Sequence, residues 1–293
     1  AQQRHRPAQR RQERAEALFV VAHGRLLPAA GHGESTSRMT LAEQPPRPVR
    51  IAAVGDLHCR ESQREEIAAA FAATAADVDL VLLAGDLTTH GEPEQAQILA
   101  DACRPLETPV LTVLGNHDWH ARRRDEVVDV LQGGGIVVLD RGHAVREVAG
   151  IEVGVVGVKG FVGGFEGYRI PDFGEPLLRA LYDDMTADVD ALDAGLRQIA
   201  ACPLRIVLLH YAPVEATLEG EPREIWALLG SDRLAAPIAE HRPHIVLHGH
   251  AHAGSFAGAI GDVPVYNVSA PVIGRDFCVF ELSGVGATSA AVH

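Results

Sequence analysis

The stretch VRIAAVGD, Val49 to Asp56, is an apolar, β-branched run that stops on a glycine and a carboxylate. It has two counterparts: VDLVLLAGD ends in Gly85-Asp86, and PVLTVLGNH passes through Gly115-Asn116 to His117. Asp56, Asp86 and Asn116 are therefore 30 and then 30 residues apart, about the length of one strand–helix–strand unit. Between them, REEIAAAFAATAA (64–76) and EPEQAQILADACR (92–104) hold apolar residues at helical spacing among Ala and Glu, which predicts two helices. Strands alternating with helices imply a parallel sheet, whose strands are buried on both faces and so read as continuous apolar runs. Ligands bind beyond the carboxyl ends of such strands, so the three polar endings belong on one rim. A single Gly-Asp is only a turn former. Three in phase are a pattern.

The second half brings further strands to similar endings. LRIVLL terminates in His210, and HIVL in His248-Gly249-His250-Ala251-His252. Before them IVVLDRG, HAVREVAG and IEVGVVGV read as strands with tight, partly antiparallel connections. ADVDALDAGLRQIA (187–200) places Val189, Leu192, Leu196 and Ile199 on one helical face. The tail, GAIGDVPVYNVSAP and then DFCVFEL, is again strand-rich. The 30-residue beat stops at Asn116, which excludes a solenoid. The expectation is a layered domain with two sheets and outer helices.

Composition is that of an ordinary globular chain: 47% apolar and 22% charged over 293 residues. The net charge of −13 argues against a nucleic-acid binder that works by phosphate neutralisation, although cations in an acidic site reverse the local field. Residues 1–38 hold seven Arg and three Glu, a balance of +4, so the rest carries −17 (the −13 total less +4). The only apolar run there, ALFVVA, is too short for a secretory signal. Residues 1–46 are read as a disordered extension, starting upstream of the natural start, with the folded domain spanning 47–293. A short helix at 8–22 is the alternative. No apolar run approaches the roughly 18 residues that span a bilayer. Cys59, Cys103, Cys202 and Cys278 are scattered, which fits free thiols in a reducing compartment and hence the cytoplasm.

The rim would collect Asp56, His58, Asp86, Asn116, His117, His210, His250 and His252. Mixed nitrogen and oxygen donors suit Mn, Fe, Zn or Ni better than Mg or Ca. The set is too large for one ion and sufficient for two if a carboxylate bridges. Two ions about 3.5–4 Å apart can clamp a phosphoryl group and supply a hydroxide for attack.

With these residues in order, the chain resembles the calcineurin-like metallophosphoesterases. Their D-x-H, G-D, G-N-H-D/E, later His and G-H-x-H appear as GDLH (55–58), GDLT (85–88), GNHD (115–118), His210 in LLHYAP and GHAH (249–252). The likeness covers roughly 50–270. It implies an α/β fold, a four-layer α/β/β/α sandwich of two mixed sheets, with the site in loops at one edge. It also implies two divalent transition-metal ions (Mn, Fe or Zn). Asp56, His58 and His252 would hold the first, and Asn116, His210 and His250 the second, with Asp86 bridging. His117 would face the scissile phosphate and protonate the leaving oxygen or stabilise its charge, and Asp118 would orient His117. His248 is left over, as a core or supporting histidine.

Weaker candidates have two readings each. Arg60 either contacts a substrate phosphate, as Asn116 would, or opens the next helix in solvent. Cys59 reads as a packed small residue. KGFVGGFEGYRIPDFGEP (159–176) is either a flap shaping the pocket through Phe161, Phe165, Tyr168 or Arg169, or a structural loop. YAPVEATLEGEPREIW (211–226) borders His210, and its acidic residues would repel polyanions.

The expected activity is hydrolysis of a small phosphomonoester or phosphodiester, by a hydroxide bridging the two metals. A cyclic-nucleotide phosphodiesterase is the alternative, and a non-enzymatic protein-binding scaffold on the same fold the rival of another class. A nucleic-acid polymer or a membrane is not an expected partner.

Overall fold

The computed structural model describes residues 47–283 and the backbone of 287–289; the extension expected at 1–46 lies outside the described residues. The first half runs β1 (Val49–Val54), α1 (Arg64–Ala75), β2 (Leu80–Ala84), α2 (Pro93–Cys103), β3 (Val110–Val113), α3 (Arg124–Gly133) and β4 (Val137–Val138). A hairpin follows, β5 (Gly142–Val148) and β6 (Ile151–Gly157), and then α4 (Pro176–Gln198) and β7 (Leu204–Leu208). The short α5 (Trp226–Leu229) and α6 (Ala235–His241) lead into β8 (Ile245–His248). The chain closes with β9 (Ala257–Ile260), β10 (Val263–Asn267), α7 (Ala270–Ile273), β11 (Cys278–Ser283) and β12 (Ala287–Ser289).

Two six-stranded mixed sheets form, ordered β12-β11-β1-β2-β3-β4 and β5-β6-β7-β8-β10-β9. In the first, β1, β2, β3 and β4 are parallel and β11 closes antiparallel onto β1, with Ile51 opposite Phe280. In the second, β6, β7, β8 and β10 are parallel, with β5 and β9 antiparallel at the two edges. The apolar faces of the sheets meet in a shared core that includes Ile51, Leu82, Leu111, Val155, Leu208, Leu247 and Phe280. The outer face of the first sheet is covered by α1, α2 and α3 through Phe71, Leu99 and Leu131. The outer face of the second is covered by α4 and α6 through Leu192, Leu196 and Ile238. The expected four layers are present. Truncating any of these buried leucines to alanine costs about 2–5 kcal/mol.

The expected helices at 64–76 and 92–104 form within a residue or two of their predicted ends, the second beginning on Pro93 at its first turn. The helix expected at 187–200 begins instead at Pro176. Leu178, Leu181 and Met185 extend its apolar face toward the N-terminus at helical spacing, so the longer helix was legible in the sequence, while Leu177 falls off that face and is 86% exposed. Helix α3 went unforeseen, although Val127 and Leu131 form a buried i, i+4 pair within it. No helix among the described residues is long and apolar enough to cross a membrane.

Because the central strands of both sheets run the same way within each sheet, their carboxyl ends supply the loops of one rim. Asp56, Asp86 and Asn116 follow β1, β2 and β3, while Lys159, His210 and His250 follow β6, β7 and β8.

Candidate active site

Four rim residues have backbones that L-residues seldom adopt: φ is 60° at Asp56, 46° at His58, 50° at Asp86 and 70° at His250. Left-handed conformations at non-glycine residues cost free energy and cluster where a site needs a side chain aimed sharply. The exits of β1, β2 and β8 are such turns, and each points a potential ligand inward.

The side chains converge into three overlapping trios, in each of which the ligand atoms lie within 4.8 Å of one another: Asp56, His58 and His252; Asp86, His210 and His250; and His58, Asp86 and His117. His252 Nε2 lies 3.0 Å from Asp56 Oδ1, and the His250 amide donates to Asp56 Oδ2 at 2.9 Å. His210 Nε2 lies 3.4 Å from Asp86 Oδ1 and 3.0 Å from Asn116 Oδ1. His58 Nε2 is 3.8 Å from Asp86 Oδ2, so Asp86 stands between the first two trios.

Backbone carbonyls hold several imidazoles in place. Nδ1 of His210 donates to Ala84 O at 2.8 Å, which leaves Nε2 as the lone-pair nitrogen facing Asp86 and Asn116. His250 Nε2 lies 3.2 Å from Leu228 O, leaving its Nδ1 for the cluster. Burial holds the His58 imidazole down to about 4 and that of His250 to about 3, so both are neutral at pH 7. Burial also pushes Asp86 above the usual carboxylate range, with the nearby Asp56 and Asp118 charges adding to it. Asp56 goes the other way: burial raises it, but the His252 hydrogen bond, the His210 and His252 charges and the His250 amide outweigh that and bring it to about 2. The neutral imidazoles of His58 and His250 beside buried carboxylates are the protonation states a divalent cation needs from its ligands, while the Asp56 hydrogen bond raises the pKa of His252. The donor set fits divalent cations.

His117 lies beside this cluster, with Nε2 3.9 Å from Asp86 Oδ2 and its ring 4.6 Å from that of His58. Its Nδ1 donates to Thr89 O at 2.8 Å. Asp118, expected to orient His117, is turned away from it. The Asp118 carboxylate is fully buried and accepts from Gly115 N (2.9 Å), Thr88 N (2.9 Å), Thr88 Oγ1 (2.7 Å) and Leu87 N (3.3 Å). It ties the loop after β2 to the loop after β3, because consecutive side chains of a tight 3₁₀ turn point apart. The Thr89 carbonyl holds His117 instead. Thr88 and Thr89 lie two and three residues after Asp86 in the sequence, and that proximity was the available signal.

Other rim residues fall into place around this centre. His248 is fully buried, with Nε2 2.9 Å from Thr217 Oγ1 and Nδ1 2.8 Å from Gly249 O, and belongs to none of the trios. Arg60 is exposed, and its side chain makes no ion pair or hydrogen bond among the described residues. Cys59 is buried in the apolar cluster under α1 and α2. Glu221, in the loop after β7, accepts from the Ala253 amide at 2.7 Å and so braces the turn that carries His252.

Beside Asn116 opens a cavity of about 390 Å³, whose wall includes Trp119, Arg141, Lys159, Phe161, Asp188 and Tyr211. Of the four side chains expected from the 159–176 loop, only Phe161 lines it. Phe165 is buried against Trp226 and Leu229, Arg169 is paired to Asp232, and Tyr168 is exposed. Lys159 and Tyr211 are wall residues that the motifs did not single out.

The profile of the calcineurin-like phosphoesterase family matches residues 49–254, from the start of β1 to just beyond the His252 turn. The chain belongs to this family. Phosphoester hydrolysis is the family's chemistry, and its members use divalent metal ions. No curated protein matches the chain significantly. Among solved structures, the fold is similar to phosphopantetheinyl hydrolase from Mycobacterium tuberculosis, at a TM-score of 0.54 and 15% identity over 76% of this chain and 90% of that one. It is also similar to GAP50, the anchor in the inner membrane complex of Plasmodium, at a TM-score of 0.52 and 13% identity over 81% and 82% of the two chains. A hydrolase and an anchor therefore share this calcineurin-like phosphoesterase fold, and only the side chains at the rim can tell them apart.

Proposed function

We propose that this calcineurin-like phosphoesterase hydrolyses small phosphate esters with two divalent transition-metal ions, Mn, Fe or Zn, held at the rim. The observation that carries the reading is the sharing of Asp86: it reaches the trio completed by His210 and His250, and lies 3.8 Å from His58 of the other. Asp56, His58 and His252 would hold one ion; Asn116, His210 and His250 would hold the other, with Asp86 common to both. The ions would lower the pKa of water and neutralise charge on the phosphoryl oxygens.

The chain's own residues supply orientation and proton transfer. Asn116, 3.0 Å from His210 Nε2, borders both this cluster and the cavity, so a substrate in the cavity meets the cluster there. His117, held through Nδ1 by Thr89 O, presents Nε2 to the same space, where it donates a proton to the departing oxygen. A scaffold in the manner of an anchor would need none of this. A ligand set in which Asp56, His58, Asp86 and His250 sit on strained backbones favours the enzyme over the scaffold. The free thiols of Cys59, Cys103, Cys202 and Cys278 support placing it in a reducing compartment such as the cytoplasm.

The test is metal analysis alongside turnover of p-nitrophenyl phosphate and bis(p-nitrophenyl) phosphate in manganese. Two ions per chain, with turnover lost on chelation and restored by metal, is the expected result. One ion per chain, or no turnover of either ester across several metals, would reject the reading.

A further inference from the structure

Lys159 is the one cation in the wall of the cavity beside Asn116 that has no carboxylate to match it. The other, Arg141, is bonded to Asp184 and Asp188, both at 2.5 Å. The Lys159 ammonium donates to Gly160 O at 2.8 Å and lies 4.3 Å and 5.0 Å from the ring centres of Phe161 and Tyr211. Among the described residues no carboxylate comes within 4.0 Å of it. Three carboxylates of the same wall, Asp188, Asp184 and Asp140, act on it at longer range, but Asp188 and Asp184 are held by Arg141 and Asp140 by Arg124. Its backbone is fixed as firmly as its surroundings: the Lys159 carbonyl accepts from the amides of His210 and Tyr211, both at 3.0 Å. An ammonium partly withdrawn from water and with no carboxylate in direct contact gains from a ligand that brings one.

The rest of the wall suggests the shape of that ligand. Trp119 (44% exposed), Phe161 and Tyr211 offer aromatic surface around the ammonium, and the volume of about 390 Å³ is that of a small-molecule site. The Tyr211 ring is 4.3 Å from that of His250, which sets Lys159 one aromatic ring beyond the ligand cluster. We propose that Lys159 is a specificity residue that pairs with a second anionic group, carboxylate or phosphate, on a flat leaving group seated in this cavity. This rests on the phosphoester reading above and narrows it to esters whose leaving group is itself an anion.

The manganese-loaded protein is assayed with phenyl phosphate, 4-carboxyphenyl phosphate and hydroquinone bisphosphate. Calorimetric titration with 4-hydroxybenzoate and phenol serves as a readout that needs no turnover. A charge-assisted hydrogen bond predicts a KM at least about tenfold lower for one or both anionic esters than for phenyl phosphate, and a similar advantage of 4-hydroxybenzoate over phenol. The larger KM ratio identifies which anion is preferred. Lys159→Met should bring these ratios to about one, and Lys159→Arg should restore most of the preference. Lys159→Gln replaces the Met variant if that chain lacks native circular dichroism. Equal KM values and equal probe affinities in the parent protein overturn the proposal. Ratios that survive Lys159→Met overturn it too, because the metals would then be holding the anion. If no ester turns over but the probe preference persists and disappears in Lys159→Met, the anion site stands and the phosphoesterase reading falls.

Discussion

Gly115 lies against the Asp86 carboxylate so closely that a Cβ there would overlap Oδ1. Gly249 stands in the same relation to Asp56, whose Oδ2 a Cβ would overlap. The glycines of the two motifs are thus more than turn formers: each makes room for the carboxylate that another segment delivers. Gly115→Ala should displace Asp86, the carboxylate common to both proposed ions, and so lower occupancy at both. The expected loss in kcat/KM is at least about a hundredfold, or ~2.7 kcal/mol, with far-ultraviolet circular dichroism unchanged. Gly249→Ala presses chiefly on Asp56, with the Ala84 carbonyl as a second, looser contact at 3.0 Å, and should cost mainly one ion. Metal-to-protein ratios by plasma emission decide this: two ions retained in Gly115→Ala would contradict it.

His117 is held by the Thr89 carbonyl and makes no bond to Asp118. In the proposed role of proton donor, outside the ligand set, it can be removed without emptying the metal site. His117→Gln should keep two ions per chain and lose about 10²–10⁴-fold in kcat. The loss should be larger for an alkyl phosphate, whose leaving oxygen needs the proton, than for p-nitrophenyl phosphate. An equal loss on both esters would assign His117 to charge stabilisation instead.

The sequence revealed the parallel halves of both sheets because their strands are buried on two faces and end on polar residues. Val49–Val54, Leu80–Ala84 and Leu204–Leu208 are apolar runs that no exposed position interrupts. The ligand candidates were legible for the same reason, each sitting where such a run stops. What stayed hidden depends on directions rather than spacing. Asp118 follows His117 in the chain but points into the loop after β2, and the surroundings of Lys159, with Phe161 and Tyr211 against it and no carboxylate in direct contact, assemble only in the fold. The first turns of α4 were missed although Leu178, Leu181 and Met185 stand at helical spacing, because the Gly- and Pro-rich stretch that leads into them reads as loop.

Asp118 is expected to act on stability and on the placement of its neighbours. Its carboxylate satisfies three backbone amides and the Thr88 hydroxyl in a buried setting. Asp118→Ala leaves those donors without an acceptor and should cost about 3–5 kcal/mol. Asp118→Asn retains one acceptor oxygen and should cost less. Thermal melts rank the three proteins, and the two variants should share the pH–rate profile of the parent wherever they stay folded. A variant with parental melting temperature but a shifted pH–rate profile would return Asp118 to the catalytic step.

His244 gives a pH dependence remote from the rim. It precedes β8, and its Nδ1 accepts from the Arg205 amide at 3.1 Å. Burial first, and then the Arg205 charge, holds its pKa below the ordinary histidine value. A histidine kept neutral by the fold takes up its proton more readily when unfolded, so its contribution is fully present above the unfolded pKa of about 6.5 and is lost as pH falls. Protonation would also convert the Nδ1 acceptor into a donor facing the Arg205 N–H. The urea midpoint of the parent protein should therefore fall between pH 7.5 and pH 5. In His244→Asn, which offers an amide oxygen and no titrating group, it should fall less. Both proteins are measured with chelator so that metal release does not enter the comparison. Parallel midpoint curves would show that His244 titrates alike in the folded and unfolded chains.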